Sequence, residues 1–181
     1  MKVLGICCSP RKEGNTEMLI REALAGAEAA GAQTELSTLR DKDIRFCDGC
    51  RSCDATGKCH IKDDMQIIYR QVLAADGLIF GSPSYFQSAS GQAKVLIDRL
   101  VSLHRKNLLR DKVGGVIVAA SRTGHGEVRN QFCSFFDSTG MVMGGFVRGF
   151  AKDKGQIAQD PSALAAARDL GKRIVAIHKV K

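Results

Sequence analysis

Val3-Leu4-Gly5-Ile6-Cys7-Cys8-Ser9-Pro10-Arg11-Lys12-Glu13-Gly14-Asn15-Thr16 is the stretch on which the fold turns. Val3 to Cys8 is apolar without alternation, the pattern of a strand buried on both faces. Ser9 to Thr16 is a polar loop with Pro10 and Gly14 as breakers. From Glu17 to Ala30 the apolar residues Ile20, Leu24 and Ala27 form one stripe at helical spacing. Working outward, the same rhythm returns. Further strand-like runs lie at Leu78 to Gly81, Val113 to Ala120 and Met141 to Val147, with a more alternating edge strand at Gln33 to Leu39. Helical stripes run over Gly91 to Leu103 and Pro161 to His178. Alternating strands and helices predict one α/β domain over residues 1–181, a parallel sheet with helices on both faces.

In such a sheet, ligands bind at the carboxyl ends of the strands, where the Ser9–Thr16 loop falls. A helix N-terminus offers unpaired amides and a favourable dipole to an anion. Ser9, Asn15 and Thr16 add neutral donors, and Arg11 adds a charge able to bridge two phosphate oxygens. The loop is neither a dinucleotide fingerprint nor a nucleotide-triphosphate loop, so a terminal monophosphate is the simplest anion left. The plainer alternative is that Asn15 or Thr16 caps the helix and Gly14 supplies the turn.

One segment breaks the rhythm. Arg40 to Asp63 has no strand or helix period and far exceeds the usual two to six residues of such a connection. It holds Cys47, Cys50, Cys53 and Cys59, four of the seven cysteines within 13 residues. An odd cysteine count in a reducing compartment argues for metal or redox chemistry rather than disulfides. The spacing C-x2-C-x2-C-x5-C lets three thiolates wrap one corner of a cube and a fourth complete it. It therefore points to a 4Fe-4S cluster on these four residues, with Gly49 and Gly57 permitting positive φ. Zinc is the rival, although four-cysteine zinc sites come as two separated pairs; free or redox-active thiols are the third reading. His60 reads as solvent-facing. Cys7 and Cys8 read as small apolar strand residues, and Cys133 as core or subunit interface.

With 27 Lys+Arg against 19 Asp+Glu, a net charge of +8 and 44% apolar residues, the composition is that of one soluble globular domain. The longest apolar stretch, Val116 to Ala120, falls far short of the ~20 residues that span a bilayer. The sequence from Met1 carries no secretory-signal pattern, so a cytoplasmic protein is expected. No basic run with interleaved aromatics exists, so nucleic acid is not an expected partner. Dispersed Lys and Arg suit phosphorylated cofactors or an acidic electron carrier.

The S-P-R-x-x-G-N-T loop resembles a known family together with Gly81-Ser82-Pro83-Ser84-Tyr85-Phe86 and with Lys94, Asp98 and Arg99 of the next helix. That family is the flavodoxin-like NADPH-dependent FMN reductase superfamily, and the cysteine loop is similar to that of its iron-sulfur flavoproteins. The resemblance extends from Met1 to about Gly171. It implies a flavodoxin-like three-layer sandwich whose five parallel strands run in the order 2-1-3-4-5. It implies FMN, with its phosphate on Ser9, Arg11, Asn15 and Thr16 around Gly14. It also implies Pro83, Ser84, Tyr85 and Phe86 beside the isoalloxazine ring and Ser121 to Gly126 as a third flavin loop, in which Ser121, Arg122 and Gly124 are candidate contacts. Homodimers or homotetramers follow from the same likeness, the cluster of one subunit approaching the FMN of another through the Arg40–Asp63 loop. Electrons come from a ferredoxin-like carrier or from NAD(P)H, and no side chain is assigned as general acid or base. Two alternatives stand beside this reading: an NAD(P)H-dependent FMN or quinone reductase whose cysteines hold zinc or nothing, and a non-catalytic redox-sensing module.

Overall fold

Every residue of Val113–Ala120 is buried, and this run forms the strand on which the sheet is built. The computed structural model describes residues 1–180. In chain order its elements are β1 (Lys2–Cys7), α1 (Asn15–Ala29), β2 (Gln33–Thr38), α2 (Ser52–Thr56), α3 (Met65–Ala74), β3 (Gly77–Tyr85) and β4 (Ser88–Ala89). There follow α4 (Gly91–Arg99), α5 (Val101–His104), β5 (Val113–Ala120), α6 (His125–Thr139), β6 (Val142–Phe150), a 3-10 turn (Gln156–Gln159) and α7 (Pro161–Lys179). Five strands pair in parallel in the order β2-β1-β3-β5-β6. That is the expected 2-1-3-4-5 order once β4 is set aside. β4 is a two-residue antiparallel addition to the end of β3, too short to register as a period of its own.

Alternation along β1 divides the core. Val3 and Cys7 face a layer built by α1 and α7 with Leu19, Ile20, Leu170 and Ile174; Leu4, Ile6 and Cys8 face the layer of α3, α4 and α6. On the second face Phe80 meets Phe132, Phe135 and Phe136 at ring-centroid distances of 5.4, 5.9 and 5.6 Å, a spacing at which aromatic pairs add to simple area burial. On the first face α1 and α7 approach backbone to backbone. A Cβ on Gly171 would lie 1.8 Å from the Ala23 carbonyl oxygen, and one on Gly26 would lie 2.0 Å from that of Arg168. Since the obstacle is backbone rather than a mobile side-chain tip, Gly171→Ala is expected to lower unfolding free energy by about 1–3 kcal/mol. Urea denaturation checks this, and a change below about 0.5 kcal/mol would show that the two helices separate freely.

The stripe read as one helix over Gly91 to Leu103 is two helices that break at Leu100. The Tyr69 hydroxyl donates to the Arg99 carbonyl oxygen at 2.7 Å, satisfying a group that the helix ladder leaves aside. α7 begins as its sequence suggests, with Pro161 in the first turn and Asp160 Oδ1 accepting from the Ala163 amide at 2.9 Å. Among the described residues no helix is long and apolar enough to cross a membrane.

Candidate functional site

The carboxyl ends of β1, β3, β5 and β6 frame a cleft of about 290 Å³. One side is polar, formed by Ser9, Arg11, Asn15, Thr16 and Lys152; the other is formed by Pro83, Ser84, Tyr85, Ala119, Ser121 and Ala151. Of the residues singled out in the sequence, Gly14, Phe86, Arg122 and Gly124 do not line it. Lys152, Ala119 and Ala151 do, and they were not anticipated. Lys152 lies in a loop after the last strand that carries no motif, so only its place at the ligand edge could have pointed to it.

The loop after β1 is held from within and from beneath. Ser9 Oγ accepts the Arg11 amide at 3.2 Å. The left-handed residue of the turn is Glu13 (φ 51°), whereas Gly14 is extended with φ −83°. Glycine is needed at position 14 for space, since a Cβ there would sit 3.0 Å from that of Arg11. Glu13 is stabilised by the Glu17 carboxylate, which accepts its amide at 3.0 Å. The Glu17 side chain is fully buried and also pairs with Arg21 and Arg40, each at 2.7 Å. Burial alone would raise the Glu17 pKa, but the hydrogen bonds from Arg21 and the Glu13 amide, with the Arg40 charge, outweigh it and hold it below the usual range. Arg40 stands at the root of the cysteine-bearing loop, so one carboxylate fastens both loops. Asn15 is not a free donor. Its amide nitrogen donates to the Asp153 carbonyl at 2.9 Å and its oxygen accepts the Ile157 amide at 3.2 Å, tying the segment after β6 to the start of α1. α1 has no capping side chain, which leaves its first-turn amides for a ligand.

The other side rests on a hairpin. Ser84 pairs with Ala89 and Tyr85 with Ser88, and the turn between them places Phe86 and Gln87 at φ 48° and 60°. Two consecutive positive φ values define a type I′ turn, normally an Asn-Gly site, and each costs about 1–3 kcal/mol in such side chains. The hairpin is fixed from α6, where Gln131 accepts the Ala89 amide at 3.1 Å and donates to Ser88 Oγ at 2.8 Å. Tyr85 faces the cleft, while Phe86 is fully exposed at the tip. Gln87→Gly is expected to raise unfolding free energy by about 0.5–1 kcal/mol, the relief of the left-handed backbone less the entropy of glycine; thermal unfolding of the variant measures it. The Ser121–Gly124 loop closes on this hairpin. Gly124 has φ 93°, and a Cβ there would lie 1.9 Å from Ser84 Oγ.

The cysteine segment is clasped at its base. The Arg99 side chain, with no exposed surface, donates to both oxygens of Asp63 at 2.6 and 3.0 Å and to the Arg45 carbonyl at 2.7 Å. The Arg45 amide donates to Asp63 at 3.0 Å, and Asp43 and Asp64 exchange two further bonds. Beyond the clasp, Cys47 and Cys50 are exposed and Cys53 and Cys59 half-buried. The segment is not wholly irregular, because α2 occupies Ser52–Thr56. α2 is pinned by Lys106 Nζ donating to the Ala55 carbonyl at 3.0 Å and by Arg105 pairing with Asp54 at 2.7 Å. Gly49 and Gly57 take φ 69° and 68°, the positive values expected of them. Among the described residues, no three of the four cysteine sulfurs lie within 4.8 Å of one another. One zinc ion bound by four thiolates at about 2.3 Å would hold them less than about 4 Å apart, so the four sulfurs as folded are not gathered into a single-ion tetrathiolate site. Cys7 and Cys8 are buried at the end of β1, and burial pushes the Cys7 thiol up to about 11, which keeps it protonated and inert. None of the seven cysteines lines the cleft.

Comparison with known proteins bears directly on this arrangement. Residues 1–153 match the profile of the NADPH-dependent FMN reductases. The chain belongs to that family. Within it, the chain stands on the iron-sulfur flavoprotein branch. It is 41% identical to an iron-sulfur flavoprotein of Methanocaldococcus jannaschii over 99% of this chain and 98% of that one. It is 34% identical to an iron-sulfur flavoprotein of Archaeoglobus fulgidus over 96% and 79% of the two chains. Among solved structures it is similar to the Trp repressor binding protein of Bacillus subtilis, at TM-score 0.71 and 26% identity over 94% and 99% of the chains. A likeness in fold alone extends to RosB, with TM-score 0.81 and 17% identity over 99% and 79%. The protein is an FMN-dependent oxidoreductase on a flavodoxin-like fold.

Proposed function

We propose that the cleft binds FMN and that Cys47, Cys50, Cys53 and Cys59 ligate a 4Fe-4S cluster. Together they carry electrons between a ferredoxin-like one-electron carrier or NAD(P)H and an acceptor that takes electrons in pairs. The observation that carries this reading is the clasped segment itself, which carries four thiols, two exposed and two half-buried, on one short loop outside the cleft. When bound, FMN takes up one or two electrons and the cluster one at a time. The chain contributes placement. Arg11, Lys152 and the first amides of α1 hold the phosphate, with Ser9 and Thr16 beside it and Asn15 fixing the adjacent loop. Pro83, Ser84, Tyr85 and Ser121 border the ring; Gly14, Phe86, Arg122 and Gly124 shape the loops around it rather than line it.

Electron exchange within one chain has no cysteine at the cleft to serve it. We therefore assign it to a homodimer or homotetramer in which the Arg40–Asp63 loop of one subunit meets the FMN of another. Phe46 on that loop, 79% exposed, and Phe86 on the hairpin tip are apolar groups that such a contact would cover. A structure of the assembly with that loop remote from every flavin would refute this part. Free thiols and a cluster both persist where thiols are kept reduced, which supports a cytoplasmic location.

Anaerobic reductive titration tests the cofactor reading. Uptake of about three electrons per chain, two to the flavin and one to the cluster, is expected. Uptake of two only, with no absorbance beyond the flavin bands, would leave a plain NAD(P)H-dependent FMN reductase.

A further inference from the structure

We infer that, when the cluster is absent, the cysteine loop binds a single divalent transition-metal ion through Asp48, Cys50 and His60. A carboxylate oxygen, a thiol sulfur and an imidazole nitrogen of these residues lie within 4.8 Å of one another, the one such grouping of three ligand residues among the described residues. The three converge from the two ends of the loop. His60 is bonded to Asp48 Oδ2 at 2.7 Å, and Asp48 Oδ1 accepts the Cys50 amide at 3.2 Å. The left-handed Gly49 lets the carboxylate fold back in this way. Thiolate, imidazole and carboxylate are the zinc donors, and three protein ligands with a fourth open position make a complete tetrahedral site. All three residues are exposed, so the open position faces water.

Binding replaces the His60–Asp48 hydrogen bond by two metal–ligand bonds. It forms one metal–sulfur bond as the Cys50 thiol gives its proton to solvent, and no electron is exchanged. Cys50 also belongs to the proposed quartet. On that reading, ion and cluster are alternatives, since a thiolate committed to a mononuclear ion with Asp48 and His60 is drawn away from Cys47, Cys53 and Cys59. The exclusion rests on the cluster assignment; the ion site does not.

The test uses the full-length, FMN-loaded protein freed of iron by a chelator and titrated with zinc ions. One zinc per chain is expected, its X-ray absorption showing one sulfur among nitrogen and oxygen neighbours. Asp48→Asn and His60→Ala should each weaken zinc at least about tenfold, no less than the loss of a group that merely orients a ligand. Cys50→Ser should remove the sulfur signal, while Cys47→Ser, Cys53→Ser and Cys59→Ser stay within about twofold of the parent. A shell of four sulfurs, or equal losses for all four cysteine variants, would overturn the site. Zinc-loaded protein should take up iron and sulfide only after the zinc is chelated, and full uptake of both would overturn the exclusion. Failure of the metal-free protein to take up iron and sulfide would instead count against the cluster reading and leave the zinc results standing.

Discussion

Arg99→Leu lowers unfolding free energy by about 3–5 kcal/mol, the cost of leaving a buried ion pair with one member. Asp63, 3% exposed, keeps its charge because Arg99 meets both of its oxygens. Without the guanidinium, that carboxylate keeps only the Arg45 and Met65 amides as donors, and the Arg45 carbonyl loses its bond from Arg99. The effect is local as well as global: Cys47, Cys50, Cys53 and Cys59 should react faster with a thiol reagent as the clasp opens. Arg99→Lys recovers only part of the loss, since an ammonium cannot reproduce the two-pronged geometry. Arg99→Leu combined with Asp63→Leu should recover more, because replacing both members of a buried pair can be nearly neutral. Acid dependence weakens with the substitution. Burial pushes Asp63 up, but hydrogen bonds from Arg99 and the Arg45 amide overcome it and hold it below its usual 3.8. In the parent, that stability is present above the ordinary carboxylate range and lost as pH falls through the depressed value. In Arg99→Leu the Arg45 and Met65 amides still favour the charged form, but the Arg99 hydrogen bonds and charge are gone, so Asp63 titrates higher than in the parent and less stability is lost as pH falls. Denaturation of both proteins between about pH 3 and 7 measures the difference; a loss below about 1 kcal/mol at neutral pH would mean that the clasp does not hold the loop.

The second large effect is at the cleft. Arg11→Ala weakens FMN by about 1.5–3 kcal/mol, the worth of a hydrogen bond to a charged group, which is about 10- to 150-fold in affinity. Riboflavin, which lacks the phosphate, should bind parent and variant alike. That contrast separates a phosphate contact from a general loosening of the loop. Titration of flavin fluorescence reads both ligands, and unchanged FMN affinity would remove Arg11 from the site.

Much of this was legible where local pattern and tertiary role coincide. Val113–Ala120 reads as a doubly buried strand and is one, because helices cover both faces and leave no alternation to see. The helical stripe that begins at Pro161 marks α7 at the residue where it starts. What escaped depends on distant partners. Asn15 looks like an anion donor from its neighbours, yet its amide bonds to residues 138 and 142 positions away. Glu17 with Arg40, and Arg99 with Asp63, join segments that share no sequence signal. The turn at Phe86-Gln87 carries no glycine or asparagine, so β3 reads as ending near Gly81 when it continues to Tyr85. The helix Met65–Ala74 does have a signal, in Met65, Ile68, Tyr69 and Val72 on one face, but the long loop before it draws the eye. Spacing placed the four cysteines in one loop; that they stay apart from their own chain's cleft is a matter of packing alone.

Iron, acid-labile sulfide and zinc determined on anaerobically purified protein, with its visible spectrum, bear most directly on whether flavin and cluster share this chain. About four irons and four sulfides with one FMN per chain, and a broad absorbance beyond the flavin bands that bleaches on reduction, is the expected result. Flavin accompanied by zinc or by no metal, with no sulfide after reconstitution, would contradict it.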